Sequence, residues 1–177
     1  MLLEPPKIFG RKLKPFSLGH AYILDVYESA YVGASMESSA KELIFALWVC
    51  GHTYSDAMVR LRSGRFKWEM FCYGRRFREK YFNEASVILS DYIDSYTTTP
   101  ERWKKQNGSG STLRVPWQMA TVWRLCGGRL SPDTVEWAWN LPVCDAMAFC
   151  AVAAASEGDK DLISEDEYEA VRMMNDG

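Results

Sequence analysis

The longest unbroken apolar stretch in the first half of the chain covers residues 43–50, eight apolar side chains in succession. Ser39 and Glu42 precede it at the spacing of a capping box, in which each side chain accepts a hydrogen bond from the other residue's backbone N–H. Gly51 follows, and glycine readily enters the left-handed conformation that ends many helices. A buried strand is the alternative, but leucine and alanine outnumber the β-branched residues. The pattern therefore favours a helix buried on every side, around which the chain is organised.

The residues before this helix predict an extended arm and a first helix. Residues 1–16 contain three prolines and four lysines or arginines, a composition that favours extended chain. Ser17 is then predicted to cap a helix that ends near Ala30. Its apolar face is expected to carry three residues spaced by four, namely Leu18, Tyr22 and Val26.

The residues after the central helix predict one short and one long helix. A short helix is expected from Thr53 or Ser55 to about Gly64. Residues 65–96 predict the longest element, interrupted or kinked near Gly74. From residue 77 onward a clean helical period predicts an apolar stripe of Phe77, Tyr81, Ala85, Ile88 and Tyr92, widened by Phe82, Leu89 and Ile93. The residues between them are expected to face water, namely Arg76, Glu79, Asn83, Ser90 and Asp94.

The last third of the chain again predicts helices, after a boundary at residues 97–114 whose glycine- and serine-rich part is typical of a flexible linker. One helix should begin at Pro116 and end at Gly127-Gly128. A second should begin after the cap Ser131-Pro132, and a third should cover Val143–Ser156. Ser164 with Glu167 forms another capping box and predicts a last helix to about Met173.

These elements predict an all-α fold of about seven to eight helices, in one compact domain or two lobes. An N-terminal lobe of residues 1–96 surrounds the buried central helix, residues 97–114 form the linker, and residues 115–177 form a C-terminal lobe. With 177 residues, 47% of them hydrophobic, the chain is long and apolar enough to bury a substantial core.

Composition and charge narrow the function classes. The net charge of −2 gives no overall attraction to nucleic acid or membranes. Five cysteines, an odd number set mostly in apolar helices, favour reduced thiols in a cytosolic setting. We expect no signal peptide at the N-terminus. The longest apolar run, residues 146–155, falls well short of the ~20 residues of a membrane-spanning helix, so a soluble protein is expected.

Metal, cofactor and catalytic motifs do not emerge from the sequence. Cys50-Gly51-His52 lacks a second close pair of ligands, and His20 is the only other histidine, so no metal site is predicted. The acidic run at residues 159–167 fails the calcium-loop pattern, which needs glycine at its sixth position. No nucleophile elbow or zinc-protease motif is present, and an enzyme using a histidine with a distant cysteine or serine remains a third hypothesis.

The strongest local charge feature is residues 60–82, where eight arginines and lysines alternate with aromatic side chains against two glutamates. Three interpretations stay open: aromatic rings in the core with a solvated cationic face, a protein interface, or a surface for single-stranded nucleic acid. A protein interface is preferred over nucleic acid. The candidate partner-binding residues are Arg65, Phe66, Trp68, Phe71, Arg75, Arg76 and Arg78.

Two segments resemble a group of bacteriophage and prophage proteins. They are residues 13–20, Leu-Lys-Pro-Phe-Ser-Leu-Gly-His, and residues 41–50, an acidic-leucine helix that ends in an apolar-cysteine step. In the C-terminal half, Val115-Pro-Trp117, Leu141-Pro142 and a final acidic segment are also similar to theirs. Such proteins look like tail assembly chaperones, small helical proteins that coat the long apolar tape measure protein until tail tube subunits polymerise around it.

The resemblance implies a non-enzymatic role in virion assembly, performed in the host cytoplasm. The implied partner is the tape measure protein or another tail protein, and self-association into a homo-oligomer is compatible with this role. No catalytic, cofactor-binding or metal-binding residue is implied, because the role needs none. The alternative function is a nucleic-acid-binding phage protein that uses the stretch 60–82.

Overall fold

The computed structural model of the protein describes residues 4–32, 39–76, 81–97 and 115–156. These ranges form eight helices and one two-stranded hairpin, so the predicted all-α class is confirmed. The strands are β1 (Lys7–Ile8) and β2 (Arg11–Lys12). The helices are α1 (Leu18–Val26), α2 (Ala40–Cys50), α3 (Tyr54–Arg62), α4 (Arg65–Arg76), α5 (Phe82–Thr97), α6 (Trp117–Leu125), α7 (Pro132–Asn140) and α8 (Val143–Ser156).

The central helix α2 begins with the predicted capping box. The Ser39 backbone N–H donates to the Glu42 carboxylate at 2.6 Å, and the Glu42 N–H donates to Ser39 Oγ at 3.3 Å. Residues 46–50 are buried on every side, whereas Phe45 is only half-buried. The left-handed ending expected at Gly51 is wrong, because its φ is −82° and the last turn simply tightens.

Helix α1 begins at the predicted cap Ser17 but ends at Val26, four residues before the predicted end near Ala30. The cause is a Schellman motif: the Ser29 N–H donates to the Leu24 carbonyl and the Glu28 N–H to the Asp25 carbonyl. Glu28 occupies the left-handed position at φ 51°, where glycine is usual, so the sequence did not mark the end. Val26, predicted on the apolar face, is 55% exposed.

The predicted arm contains a hairpin that the sequence analysis missed. Lys7 pairs with Lys12 and Ile8 with Arg11, and the turn between them holds Phe9 at φ 51° and Gly10 at φ 77°. Two successive positive φ values form the tight turn that suits a two-residue hairpin loop. The arm is fixed to the centre of the fold, because the Lys14 N–H donates to the Cys50 carbonyl at 2.8 Å.

Within residues 65–96 the structure describes two helices, α4 and α5, and Gly74 lies inside α4, two residues before that helix ends at Arg76. In α5 the buried face carries Ala85, Leu89, Tyr92, Ile93 and Tyr96. Ile88, predicted on that face, is 37% exposed, whereas Leu89 and Ile93, predicted to widen the stripe, are buried. Asn83, Ser90 and Asp94 are exposed as predicted, and Phe77 and Glu79 lie outside the described residues.

The boundaries of α3, α6, α7 and α8 agree with the predicted caps. Thr53 caps α3, and Ser131 forms a capping box with Thr134 at the start of α7. After α6, the N–H groups of Gly127 and Gly128 donate back to the carbonyls of Arg124 and Trp123, a second Schellman motif. The last helix predicted from residue 164 lies outside the described residues.

The N-terminal and C-terminal helices share one hydrophobic core. Helix α1 packs against α6, α7 and α8, and α5 packs against α8. Backbone hydrogen bonds also join the two regions, from the Leu18 N–H to the Leu141 carbonyl and from the Val143 N–H to the Phe16 carbonyl. The division at residues 97–114 stays a prediction, since all of these residues except Thr97 are outside the described ranges. Within those ranges no helix has both the length and the apolar character needed to cross a membrane.

Candidate functional site

One aromatic surface that stays exposed among the described residues is the outward face of α4. Trp68 is 66% exposed and Phe71 is 54% exposed, with their ring centroids 5.7 Å apart. The Arg75 guanidinium lies 5.9 Å from the centre of the Phe71 ring, within the range of a cation–π contact. Arg65 and Lys67 are also exposed on this helix. We call this set of five side chains the α4 outer face.

Of the other predicted partner-binding residues, Phe66 is described and does not join this face. Phe66 points to the opposite side of the helix, where its ring makes edge-to-face contacts with Trp48 at 5.0 Å and Phe45 at 6.1 Å. The backbone of Arg76 ends α4, and Arg78 lies outside the described residues. The aromatic residues of the stretch are therefore divided between surface and core, as a helix period of 3.6 residues requires.

The inner side of α4 is fixed by a polar contact with the central helix. Trp48 Nε1 donates to a Glu69 carboxylate oxygen at 2.9 Å, and Arg60 forms an ion pair with the other oxygen. Burial alone would raise the pKa of Glu69, but the hydrogen bonds from Trp48 and Arg60 outweigh it and lower that pKa. This anchor leaves the Trp68 side of the helix turned to solvent.

The second surface is an apolar groove formed by α6, α7 and the residues beside them. It encloses about 760 Å³, and all eight lining residues are apolar: Val115, Met119, Ala120, Val122, Trp123, Leu130, Val135 and Trp139. We call this set the α6/α7 groove. Its volume is in the range of protein cavities that bury a ligand or an inserted side chain.

The groove has a buried floor and an exposed rim. Trp139 is 7% exposed and stacks on Tyr54 with ring centroids 4.6 Å apart, so the floor continues into the core. Met119, Trp123 and Leu130 on the rim are 41%, 56% and 58% exposed. The Schellman motif after α6 positions the Trp123 ring beside Gly128, where a β-carbon would lie 3.6 Å from the indole. A partner with an apolar surface can bind on such a buried floor and exclude water from it, with contacts to the exposed rim.

The sequence analysis did not predict this groove, although it contained one signal. Met119 and Trp123 are spaced by four residues and therefore lie on one side of α6, and Val115 precedes the helix at the same spacing. Such a stripe usually predicts a buried face, and the sequence does not show that α7 leaves much of this stripe uncovered.

The two histidines lie close together, and their rings make hydrogen bonds to nearby backbone groups. The Ser17 N–H donates to His20 Nδ1 at 3.1 Å, and His20 Nε2 donates to the His52 carbonyl at 2.7 Å. Both ring nitrogens are thus satisfied by a neutral imidazole. Burial lowers the pKa of His20 to about 4, against backbone hydrogen bonds that favour the charged form. His52 Nδ1 donates to the Trp48 carbonyl at 2.7 Å.

Cys50, two residues before His52, is fully buried at the end of α2. Burial raises the pKa of Cys50 well above the usual range for a thiol, which suppresses the thiolate that nucleophilic chemistry requires. In residues 4–32, 39–76, 81–97 and 115–156, no three histidine, cysteine, aspartate or glutamate side chains are grouped closely enough to hold a metal ion.

No protein-family model, no curated protein and no solved structure matches this chain. The resemblance to tail assembly chaperones therefore rests on the short sequence motifs alone. The chemistry of the α4 outer face and of the α6/α7 groove indicates which kind of partner each of them can bind.

Proposed function

We propose that this protein is a tail assembly chaperone-like phage protein that binds an apolar helical segment of the tape measure protein. Binding keeps that segment soluble in the host cytoplasm until the tail tube is assembled. The observation that carries the proposal is the α6/α7 groove, an apolar surface with a buried aromatic floor that the described part of the chain leaves open. The motif resemblance supplies the identity of the client.

The groove suits a helix better than a small polar ligand. Its lining offers no charged group and no side-chain hydrogen-bond donor besides the two indole N–H groups. A helix hides its own backbone polar groups and presents a stripe of apolar side chains, which is what such a lining accepts. Met119 has an unbranched, adaptable side chain, and Trp123 provides a large anchor at the rim.

The proposed function needs no reactive group. One ring nitrogen of His20 accepts from the Ser17 N–H at the start of α1, and the other donates to the carbonyl of His52, two residues after α2. The role proposed here uses the apolar surface alone, so removing titratable groups far from the groove should leave client binding intact.

Co-expression with a tape measure fragment tests the proposal. The wild-type chain should keep an otherwise insoluble apolar fragment in the soluble fraction and should co-elute with it. Trp123→Ala should lower the recovered complex at least about tenfold, the size expected when an aromatic anchor contributing ~2 kcal/mol is removed.

Trp68→Ala is the matched control, because Trp68 is a comparably exposed tryptophan on a different helix. It should leave recovery of the complex unchanged. Circular dichroism of both variants verifies that the helices are retained. Equal losses from the two substitutions, or no solubilisation by the wild-type chain, would count against binding at the groove.

A further inference from the structure

The α4 outer face carries cations that the described part of the chain leaves without carboxylate partners. Arg65, Lys67 and Arg75 are exposed, and the ion pair found among the described residues is instead Arg60–Glu69, on the inner side. Trp68 and Phe71 lie between these cations and are more than half exposed. Such a face favours a partner that is both anionic and partly apolar.

The chain itself contains a segment of that chemistry. Residues 157–177 hold eight carboxylates against two cations, whereas residues 60–82 hold eight cations against two carboxylates. Apolar residues are interspersed with the acidic ones, and Tyr168, Val171 and Met174 recur at a spacing of three. The two segments are thus complementary in charge and in apolar content, although the whole chain is nearly neutral.

The length of the segment permits contact within one molecule. The chain leaves α8 at Ser156, and 21 further residues reach up to about 70 Å when extended, at about 3.3 Å per residue. A domain of this size has a diameter of roughly 40 Å by the usual scaling of the radius of gyration with chain length. Glu165 to Glu169 lie 9 to 13 residues beyond Ser156, so they can reach about 30–43 Å from the end of α8, a distance comparable to that diameter.

We infer that the acidic segment 157–177 docks on the α4 outer face of its own molecule and shields that face from other anions. The carboxylates pair with Arg65, Lys67 and Arg75, and the apolar residues cover Trp68 and Phe71. The contact is electrostatic at an exposed surface, so it opens as salt is raised. This docking uses a different surface from the α6/α7 groove, so it does not depend on the proposed function.

Site-specific photo-crosslinking of the full chain tests this docking. With p-benzoylphenylalanine at position 71, illumination should join that position to residues 157–177, mapped by mass spectrometry in the monomeric band. Raising the ionic strength from about 0.05 M to about 0.5 M shortens the Debye length from about 14 Å to about 4 Å and should reduce the crosslink several-fold. The same probe at position 123, in the groove, should give no crosslink to the acidic segment.

Charge variants separate a specific contact from accidental proximity. Combining Glu165→Gln, Glu167→Gln and Glu169→Gln should remove most of the crosslink from position 71. The double variant Arg65→Glu with Arg75→Glu should do the same, and adding Glu165→Arg with Glu169→Arg should restore it. Restoration shows that loss of the crosslink was not caused by misfolding.

Four results would overturn the inference. They are a crosslink from position 71 to another part of the chain, a crosslink only in a dimeric band, a crosslink to co-purified nucleic acid in place of the acidic segment, or a yield independent of salt. The dimeric band would assign the face to a second copy, and the nucleic acid would assign it to single-stranded binding.

Discussion

The α4 outer face and the α6/α7 groove each expose a tryptophan, but they differ in what surrounds it. Trp68 stands on a single helix among cations, whereas Trp123 stands at the rim of a concave surface whose lining is entirely apolar. An isolated aromatic among cations attracts an anionic partner, and an apolar concavity with a buried floor attracts an apolar helix. Exposure of an aromatic ring therefore does not by itself identify its partner, because the neighbouring side chains decide which chemistry can bind.

The largest effect should come from the floor of the groove. Trp139→Ala removes a buried indole that stacks on Tyr54, and it should lower the free energy of unfolding by about 3–5 kcal/mol. Trp137→Ala, on the same helix but 49% exposed, should cost no more than about 1 kcal/mol. Urea denaturation of both variants measures the difference. Similar losses would show that the floor is not part of the core.

The next effect concerns the fold that supports both surfaces. Burial lowers the pKa of His20 from 6.5 to about 4, so the unfolded chain takes up a proton first as the pH falls. The stabilisation is complete above pH 6.5 and is lost as the pH falls towards 4. Between pH 7.5 and pH 5 this group should remove on the order of 2 kcal/mol of stability.

Urea denaturation at the two pH values measures this loss, with His20→Gln as the comparison. The variant is expected to be less stable at pH 7.5 but to lose less stability on acidification than the wild-type chain. If both proteins respond equally to pH, the histidine is not buried as a neutral group.

A smaller effect should separate the inner side of α4 from its outer face. Glu69→Gln keeps an acceptor for Trp48 Nε1 but removes the charge that pairs with Arg60, and it should cost about 1 kcal/mol. Because the pKa of Glu69 is lowered, its stabilisation is present above the usual glutamate range and disappears as the pH falls through the lowered pKa. Asp91→Asn, at an exposed position of α5, is the control and should change stability little.

The smallest effect is expected at the exposed tryptophans themselves. Trp68→Ala and Trp123→Ala should each change the free energy of unfolding by no more than about 1 kcal/mol, since both rings are mostly in water. A much larger loss for either one would mean that its ring is packed against the protein and is not available to a partner.

The features that the sequence predicted correctly are those decided by neighbouring residues. Four helices begin at predicted caps, Ser17, Ser39, Thr53 and Ser131. In each, the side-chain oxygen accepts a hydrogen bond from the N–H three residues later, so the cap depends only on residues that are close in sequence. The same holds for Gly127 after α6, whose φ of 58° favours glycine.

The features that the sequence missed depend on local exceptions or on distant contacts. Glu28 adopts a left-handed conformation although it is not a glycine, and Gly51 ends α2 without adopting a left-handed conformation. Ile88 of α5 was predicted on the buried face together with Leu89, because the two are equally apolar and only packing shows that Leu89 is buried and Ile88 exposed. The groove was missed for the same reason, since the extent to which α7 covers α6 is a property of tertiary structure.

The most direct test of the central claim is nuclear magnetic resonance of methionine methyl groups during titration with a tape measure fragment. Met119 lines the groove and Met70 lies half-buried on α4, so the two methyl groups report on the two regions separately. Substitutions Met119→Leu and Met70→Leu assign the two resonances. Binding at the groove predicts that the Met119 resonance shifts to saturation while that of Met70 stays in place. A saturating shift of the Met70 resonance, with the Met119 resonance unchanged, would contradict binding at the groove.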